Sequence, residues 1–440
     1  MKFGSNELLA CFVVATLLST VALAKPPIKV KTSISRAENL NPDGQTLILP
    51  YAFSAESTGL VFGVGGMRKG FHQDQMSIGG LVFAGEESHA AFAGVWDYRL
   101  PFSQRTFVST SGMYGYYPNH RAYTAPHDIY IPPGLERPGS NDSSEDVYIE
   151  SAGYSNWMDI TIEYALPIGA SADNGMVEFK LENGLLVSEP AGGEVWNPRL
   201  SGATVLGLRQ YNRYQTYESD DKFIDGELHA FELGLLYDNT DFPVNPSQGS
   251  SQYIAIHHDP GWSGSREEWT YAEFEASKYF SLGSSDLARQ RIVALNFWTA
   301  YSPSWELELN EEGASKVVGG PPFLEGASLG GFYRMRGYRD SRFHDKASIY
   351  GSAEYRYTLD YNPVKNIDWL RFLHLDWFQL VAFAEAGRVA PEYKIDTLLS
   401  DVKTDLGVGI RAMTAGVIVR FDIAHSEEGT NFWFMVGHPF

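Results

Sequence analysis

The sequence predicts an all-β chain folded as a transmembrane antiparallel β-barrel of about sixteen strands. Three observations carry this. First, apolar and polar residues alternate over stretches of about ten residues, as in "YGSAEYRYTL", where Ser352, Glu354, Arg356 and Thr358 interleave with Ala353, Tyr355, Tyr357 and Leu359. Strands of soluble sandwiches alternate too, but usually run about five or six residues, whereas a strand that crosses a bilayer needs about ten. Second, aromatic residues make up 14% of the chain and glycines number 43, a balance foreign to an ordinary soluble α/β protein. Third, beyond the first 24 residues no stretch reaches the roughly 18 apolar residues of a membrane helix. A chain sent to a membrane must then span it with strands that close on one another. The mean hydropathy of −0.22 averages a lipid face and a lumen face, and so conceals both.

Taken in order, residues 1–24 read as a cleaved signal peptide: Lys2, an uncharged run from Leu8, and the small-x-small end Ala22-Leu23-Ala24. A lipoprotein signal is the rival reading, because Leu8-Leu9-Ala10-Cys11 is lipobox-like, but the apolar run continues past Cys11. Cys11 is the only cysteine, so the mature chain would hold no disulfide and no thiolate metal site. A net charge of −20 disfavours nucleic acid as a partner. Residues 25–50 read as a short periplasmic lead-in and 51–440 as the barrel domain. Strands are expected near 58–67, 76–85, 89–98, 106–117, 157–167, 175–187, 203–216, 227–238, 250–258, 269–281, 291–302, 347–360, 377–389, 405–413, 416–426 and 431–440. Their number is even, as bacterial single-chain barrels require. Counting from a periplasmic N-terminus, the polar stretch 118–156 with "GSNDSSED" would fall on the periplasmic side, where turns should be short. No fixed-period repeat and no second domain interrupt this pattern.

The last stretch, "NFWFMVGHPF", places Phe432, Phe434, Val436, His438 and Phe440 on one face of an expected final strand. Aromatic alternation with a final Phe resembles the C-terminal signal by which outer-membrane barrels are recognised for assembly, carried by Phe432, Phe434 and Phe440. The expected partners are therefore outer-membrane lipid and the barrel-assembly machinery for the chain's own insertion.

One segment is too charged for a core and too aromatic for a free loop. "LGGFYRMRGYRDSRFHDK" (329–346) holds five arginines or lysines and four aromatic residues. With the strand after it, this segment resembles the signature of the BamA/TamA superfamily of outer-membrane barrels, the bacterial surface antigen family. Arg336-Gly337-Tyr338 match that family's Arg-Gly-aromatic tripeptide, and they lie between the eleventh and twelfth expected strands. "LLYDNTDFPVNPSQGS" (235–250) resembles the family's turn after the eighth strand, with Tyr237, Asp238, Asp241, Pro246 and Gly249. "LPYAFSAESTGLVFGVG" (49–65) resembles its run into the first strand. "FAEAGRV" (383–389) resembles its thirteenth-strand Phe-x-Asp-x-Gly, with Glu385 in place of the usual Asp and Gly387 retained. The resemblance covers nearly the whole mature chain. It implies a long extracellular sixth loop folded into the lumen and docked by Arg336 on Glu354 and Glu385 beside Gly387.

Independently of that resemblance, an arginine withdrawn into a lumen needs partners, because an unpaired buried charge is costly. The guanidinium fork matches carboxylates. Glu354 shares its polar face with Ser352 and Arg356, and Glu385 shares a face with Phe383 and Gly387. Gly337 is expected to permit a tight turn, and Tyr338 to stack inside the barrel.

The chain departs from the family in one large respect. About 30 residues precede the first expected strand, too few for a POTRA domain, so a separate periplasmic partner or a client polypeptide is expected to engage the barrel directly. Enzyme chemistry is weakly represented. Gly326-Ala327-Ser328-Leu329-Gly330 spells G-x-S-x-G without the following helix that a nucleophile elbow needs. "HHD" (257–259) lacks H-E-x-x-H spacing, and 141–146 lacks the glycine of an EF-hand loop. No enzyme activity, cofactor or metal is expected. Two functions remain: a factor that translocates or inserts polypeptides, or moves lipids, through a labile seam between the first and last strands, or a passive channel or structural barrel plugged by its loop.

Overall fold

A computed structural model describes residues 27–36, 46–55, 57–125, 129–219, 222–225, 227–265, 267–322, 325–364, 367, 370, 373–414 and 416–440; the leader read over 1–24 lies outside the described residues. The alternating stretches form sixteen wall strands among these residues. They are β1 (Thr46–Ala55), β2 (Gly59–Lys69), β3 (Ser77–Gly85), β4 (His89–Arg99), β5 (Thr106–Ala122), β6 (Ile149–Ala165), β7 (Ala203–Ser219) and β8 (Leu228–Asp238). There follow β9 (Gly249–Pro260), β10 (Glu268–Ser281), β11 (Ala288–Tyr301), β12 (Ala347–Leu359), β13 (Leu375–Ala390), β14 (Lys403–Thr414), β15 (Val417–Ser426) and β16 (Gly429–Val436).

Each strand pairs antiparallel with the next, from β1 through β16. The sheet wraps into a barrel. Between β16 and β1 no paired register runs among the described residues. Phe434 and Val436 of β16 belong to the same apolar cluster as Tyr51 of β1. The two faces of the wall divide as alternation requires. Leu380, Leu406, Val408, Ile410 and Tyr355 are exposed outward, while Glu354, Arg356, Gln379, Arg411 and Asp422 are buried inward. No helix of the described residues is long and apolar enough to cross a membrane.

Two expectations need correction. The wall begins at Thr46, not near 58, so residues 46–50 leave the lead-in and join the barrel. Pro50 hid this strand from the alternation test. Proline removes a ladder donor but is tolerated in a strand with one free edge, and β1 has such an edge. Conversely, 175–187 is not a wall strand. Its pieces Val177–Glu182 and Leu185–Leu186 are too short to span, and they fold back at Asn183 and Gly184, both in the left-handed region. They join Thr32–Arg36 in a separate three-stranded sheet.

The exchange keeps sixteen strands but puts five, rather than four, before the long insertion. By parity from a periplasmic start, residues 123–125 and 129–148 now lie on the extracellular side, where long loops belong. The small sheet sits in the opposite, periplasmic mouth. Val177, Phe179 and Leu181 pack with inward residues Val205, Leu236, Tyr253 and Trp377.

Candidate functional site

The loop between β11 and β12 is pinched at its base by a short antiparallel pair, Ala327–Leu329 with Phe343–Asp345. Ser328 of the G-x-S-x-G stretch lies in this strand pair, not on a strand-to-helix turn. Between the two arms the tip reaches the lumen. Met335 takes a left-handed backbone (φ 54°) and separates two arginines that reach different walls.

Arg336 is fully buried. Its backbone N and its Nε donate to Glu385 Oε2 at 2.6 Å and Oε1 at 3.1 Å, Nη1 donates to Asp422 Oδ2 at 2.8 Å, and Nη2 lies 3.0 Å from Glu354 Oε1. The guanidinium also sits 3.4 Å from the Phe383 ring centroid. Burial alone disfavours its charge, but Glu385, Asp422 and Glu354 outweigh that and raise its pKa well above the ordinary arginine value. The carboxylates are shared in turn. Arg356 Nε and Arg411 Nη2 reach Glu354 at 2.8 and 2.7 Å, and Arg420 Nη1 donates to Asp422. Tyr350 OH donates to Glu385 Oε1 at 2.5 Å.

The neighbouring residues fix the backbone. Gly337 N donates to Asp405 Oδ2 at 3.0 Å, and its carbonyl accepts from Ser426 Oγ and Asn431 Nδ2 at 2.7 and 2.8 Å. A Cβ on Gly337 would lie 2.5 Å from Asp405 Cβ. The glycine is therefore required by close approach to the wall, and the left-handed turn expected of it belongs to Met335 instead. Trp433 Nε1 donates to the Arg336 carbonyl at 2.6 Å. Tyr338 is buried and packs edge-on against Phe343, with centroids 5.0 Å apart. Gly387 makes room for the loop, since a Cβ there would meet Leu329 Cδ1 at 2.9 Å and Met335 Sδ at 3.2 Å.

The structure thus sets Arg336 against both Glu354 and Glu385. The sequence reading missed Asp422 and Asp405, 86 and 68 residues from their loop partners. The signal was present, because Asp422 and Arg411 fall on the polar faces of β15 and β14, but the facing strand order was not. Also missed was Arg334, whose Nη2 lies 2.8 Å from Glu275 Oε2 on β10, with the guanidinium 4.0 Å from the Trp298 ring.

At the extracellular rim, Arg342 Nη1 donates to Ser143 Oγ at 3.0 Å, and its Nη2 lies 2.8 Å from Glu428 Oε1. Arg137 lies 3.2 Å from Asp345. Residues 137–143 of the insertion thereby cap the loop. His344 beneath it is pushed down to about 3 by burial and by Arg137.

The 237–249 turn lies at the other end. Thr240 N and Oγ1 donate to Asp238 Oδ1 at 2.9 and 2.6 Å, Ser247 N donates to Asp241 Oδ1 at 2.8 Å, and Tyr237 OH donates to the Ser201 carbonyl at 3.2 Å. Gly249 has φ 99°, and a Cβ there would meet the Asn239 carbonyl oxygen at 2.1 Å. Pro246 borders the lumen cavity near the C-terminal residues.

The C-terminal face is a third correction. Phe432 faces outward, but β16 stops at Val436, and Gly437 (φ 83°) turns the chain inward. Arg411 Nη1 donates to His438 Nδ1 at 2.7 Å, and the His438 Nε2 lies 3.2 Å from Asn245 Oδ1. Burial and the neighbouring Arg356 and Arg411 keep this imidazole neutral, well below its ordinary pKa. Phe440 lies 5.2 Å from Arg356 and packs with Tyr279 and Ile292 in the lumen. Phe432, Phe434 and Phe440 therefore do not share one face. His257 and His258 serve the wall, His257 facing Glu273 at 3.1 Å and His258 facing Thr270 at 3.0 Å.

A wall of long strands with an apolar outer belt and a charged lumen defines an outer-membrane β-barrel protein. Residues 199–440 match the Omp85 superfamily domain, and the chain belongs to that superfamily. No curated protein matches it in sequence. Among solved structures it is similar in fold to CdiB from Escherichia coli, at 12% identity over 89% of this chain and 61% of that one, with a TM-score of 0.51. It is also similar to BamA from Haemophilus ducreyi lacking POTRA domains 1–3, at 13% identity over 98% of this chain and 77% of that one, with a TM-score of 0.45. The chain spans about three fifths of the CdiB chain.

Proposed function

We propose that the protein inserts or translocates polypeptides at the outer membrane, using the interrupted β16–β1 junction and the lumen loop in place of an open bore. The observation that carries this reading is the filling of the lumen from both ends. The sixth-loop tip is locked from the extracellular side and the 27–36 and 177–186 sheet stands in the periplasmic mouth, while among the described residues no ladder joins β16 to β1. A lumen so filled suits a passive channel poorly. A wall held at one place by side-chain packing needs few hydrogen bonds broken to part.

Depletion in the native host, followed by quantitation of other outer-membrane barrels and secreted polypeptides, tests the reading. A cysteine pair across β1 and β16 sharpens it, because Cys11 is the only native cysteine. Depletion should lower one or more client proteins, and the oxidised pair should reproduce that loss until reduced. An unchanged membrane and secreted profile under both treatments would leave a passive or structural barrel as the function.

A further inference from the structure

The strand Val177–Glu182 lies inside the periplasmic mouth and has two edges. One pairs with Leu185–Leu186; the other is filled by Thr32–Arg36 in parallel, from Thr32 opposite Val177 to Arg36 opposite Leu181. An edge enclosed in the mouth cannot be left bare, because buried backbone N–H and C=O groups need partners. What it requires is an extended segment, whatever chain supplies it.

The residues just upstream show what else the groove selects. Ile28 fills a notch in the wall made by Gly207 of β7 and Gly234 of β8. A Cβ on these glycines would lie 2.3 and 2.5 Å from Ile28 Cδ1. Three residues on, Lys31 is buried, with Nζ 2.7 Å from Asp97 Oδ1 and 2.5 Å from Glu163 Oε2. Glu163 Oε1 also accepts from Lys29 N at 3.0 Å. A cavity of about 430 Å³ borders the segment on the C-terminal side, next to Phe440. It is room for larger side chains than those now present.

We propose that this groove is an acceptor site for an extended polypeptide, and that residues 27–36 occupy it in cis. The ligand class is a strand-forming segment with a branched apolar side chain three residues before a lysine, added in parallel to Val177–Glu182. The proposal deepens the polypeptide-handling reading above and rests on it for its biological meaning. Recognition is mostly by backbone, so many sequences fit; the notch and the two carboxylates set polarity and register. An arriving client segment displaces the resident one, which leaves the mouth without any wall strand moving.

The test uses a labelled synthetic peptide of residues 27–36 and a full-length variant whose own 27–36 is replaced by a glycine–serine linker. The peptide should bind this emptied barrel saturably, and at least about tenfold more weakly bind the intact chain, whose own segment competes. A Lys31→Glu peptide should lose about tenfold or more, because it sets a third carboxylate against two. Gly207→Val in the emptied barrel should block the notch.

Should the emptied variant fail to fold, a Ser33→Cys, Glu178→Cys pair in the intact chain replaces it. Peptide binding should be present when the pair is reduced and absent when it is oxidised. No binding to a folded emptied barrel, equal binding of the Lys31→Glu peptide, or equal binding by oxidised and reduced chains would overturn the site. Lost binding alongside an intact depletion phenotype removes only the site; peptide binding without any depletion phenotype removes only the assembly reading.

Discussion

Two segments enter the lumen from opposite ends, and they are held by different physics. The sixth-loop tip from the extracellular side brings Arg336 into contact with three carboxylates on three strands, each also serving another group. The 27–36 segment from the periplasmic side is held by five residues of parallel ladder, one apolar notch, the buried Lys31 and, at its far end, Arg36 paired with Asp376 at 3.0 Å. A shared ionic network cannot lose one member without leaving others buried and unpaired, which makes it close to permanent. A short ladder with two separate cationic anchors comes away as a unit and lets water reach the carboxylates it leaves. The first suits a lock, the second a removable occupant.

The most disruptive way to break this contrast is Arg336→Ala. Removing one partner of a buried charged network costs about 3–5 kcal/mol, so the heat-modifiability midpoint should fall and protease should cleave 331–346 in intact cells. Arg336→Lys should recover little, since ammonium lacks the planar fork. An unchanged midpoint and protected loop, at normal protein levels, would show that the network does not hold the tip.

Asp422→Asn should cost less, about 1–3 kcal/mol, because Arg336 keeps Glu385 and Glu354, and Arg420, which loses its carboxylate, keeps the Phe332 carbonyl and the Asn oxygen as acceptors; Glu385→Asp should be the mildest change in the network. A midpoint for Asp422→Asn as low as for Arg336→Ala would place the main anchor on β15.

Lys31→Met sharpens the contrast from the other side. It should expose 27–36 to protease from the periplasmic face and raise ion conductance in planar bilayers, with the heat midpoint nearly unmoved. A large fall in that midpoint would mean the segment is part of the wall's stability.

The smallest effect concerns pH. His344 is held at about 3, below the ordinary value near 6.5. A loosened loop thus binds more protons than a docked one between these values, and docking weakens as pH falls from about 6.5. Protease access to the tip should rise from pH 7 to pH 5, and His344→Gln should flatten that slope. Parallel pH profiles for the two proteins would exclude His344 as the cause.

Alternation alone exposed β12, β14 and β15, since each has one face for lipid and one for a charged lumen. It failed at β1, where Pro50 reads as a breaker unless the free edge is already known. It also failed at Val177–Glu182, which alternates well but is too short to cross. For the site, Arg336, Glu354 and Glu385 were legible through the family resemblance, to which the physics adds that a buried guanidinium demands carboxylates and that alternation turns both glutamates inward. Asp422 and Asp405 were not, because which inward acid meets the loop depends on how strands distant in sequence are set around the barrel. The inward turn at Gly437 was invisible for a related reason. Alternation carries Phe440 along the face of Phe432 unless the strand is known to stop.

Met335 has a mechanical consequence. With Arg334 fastened to β10 and Arg336 to β12, β13 and β15, the two arginines lie across the hoop of strands like a brace on a chord. A hoop braced in one arc flexes in the other. Any ovalisation of this barrel is therefore concentrated in the arc from β16 round through β1 to β9, which includes the junction where the described residues form no ladder and the Ile28 and Lys31 side of the 27–36 groove.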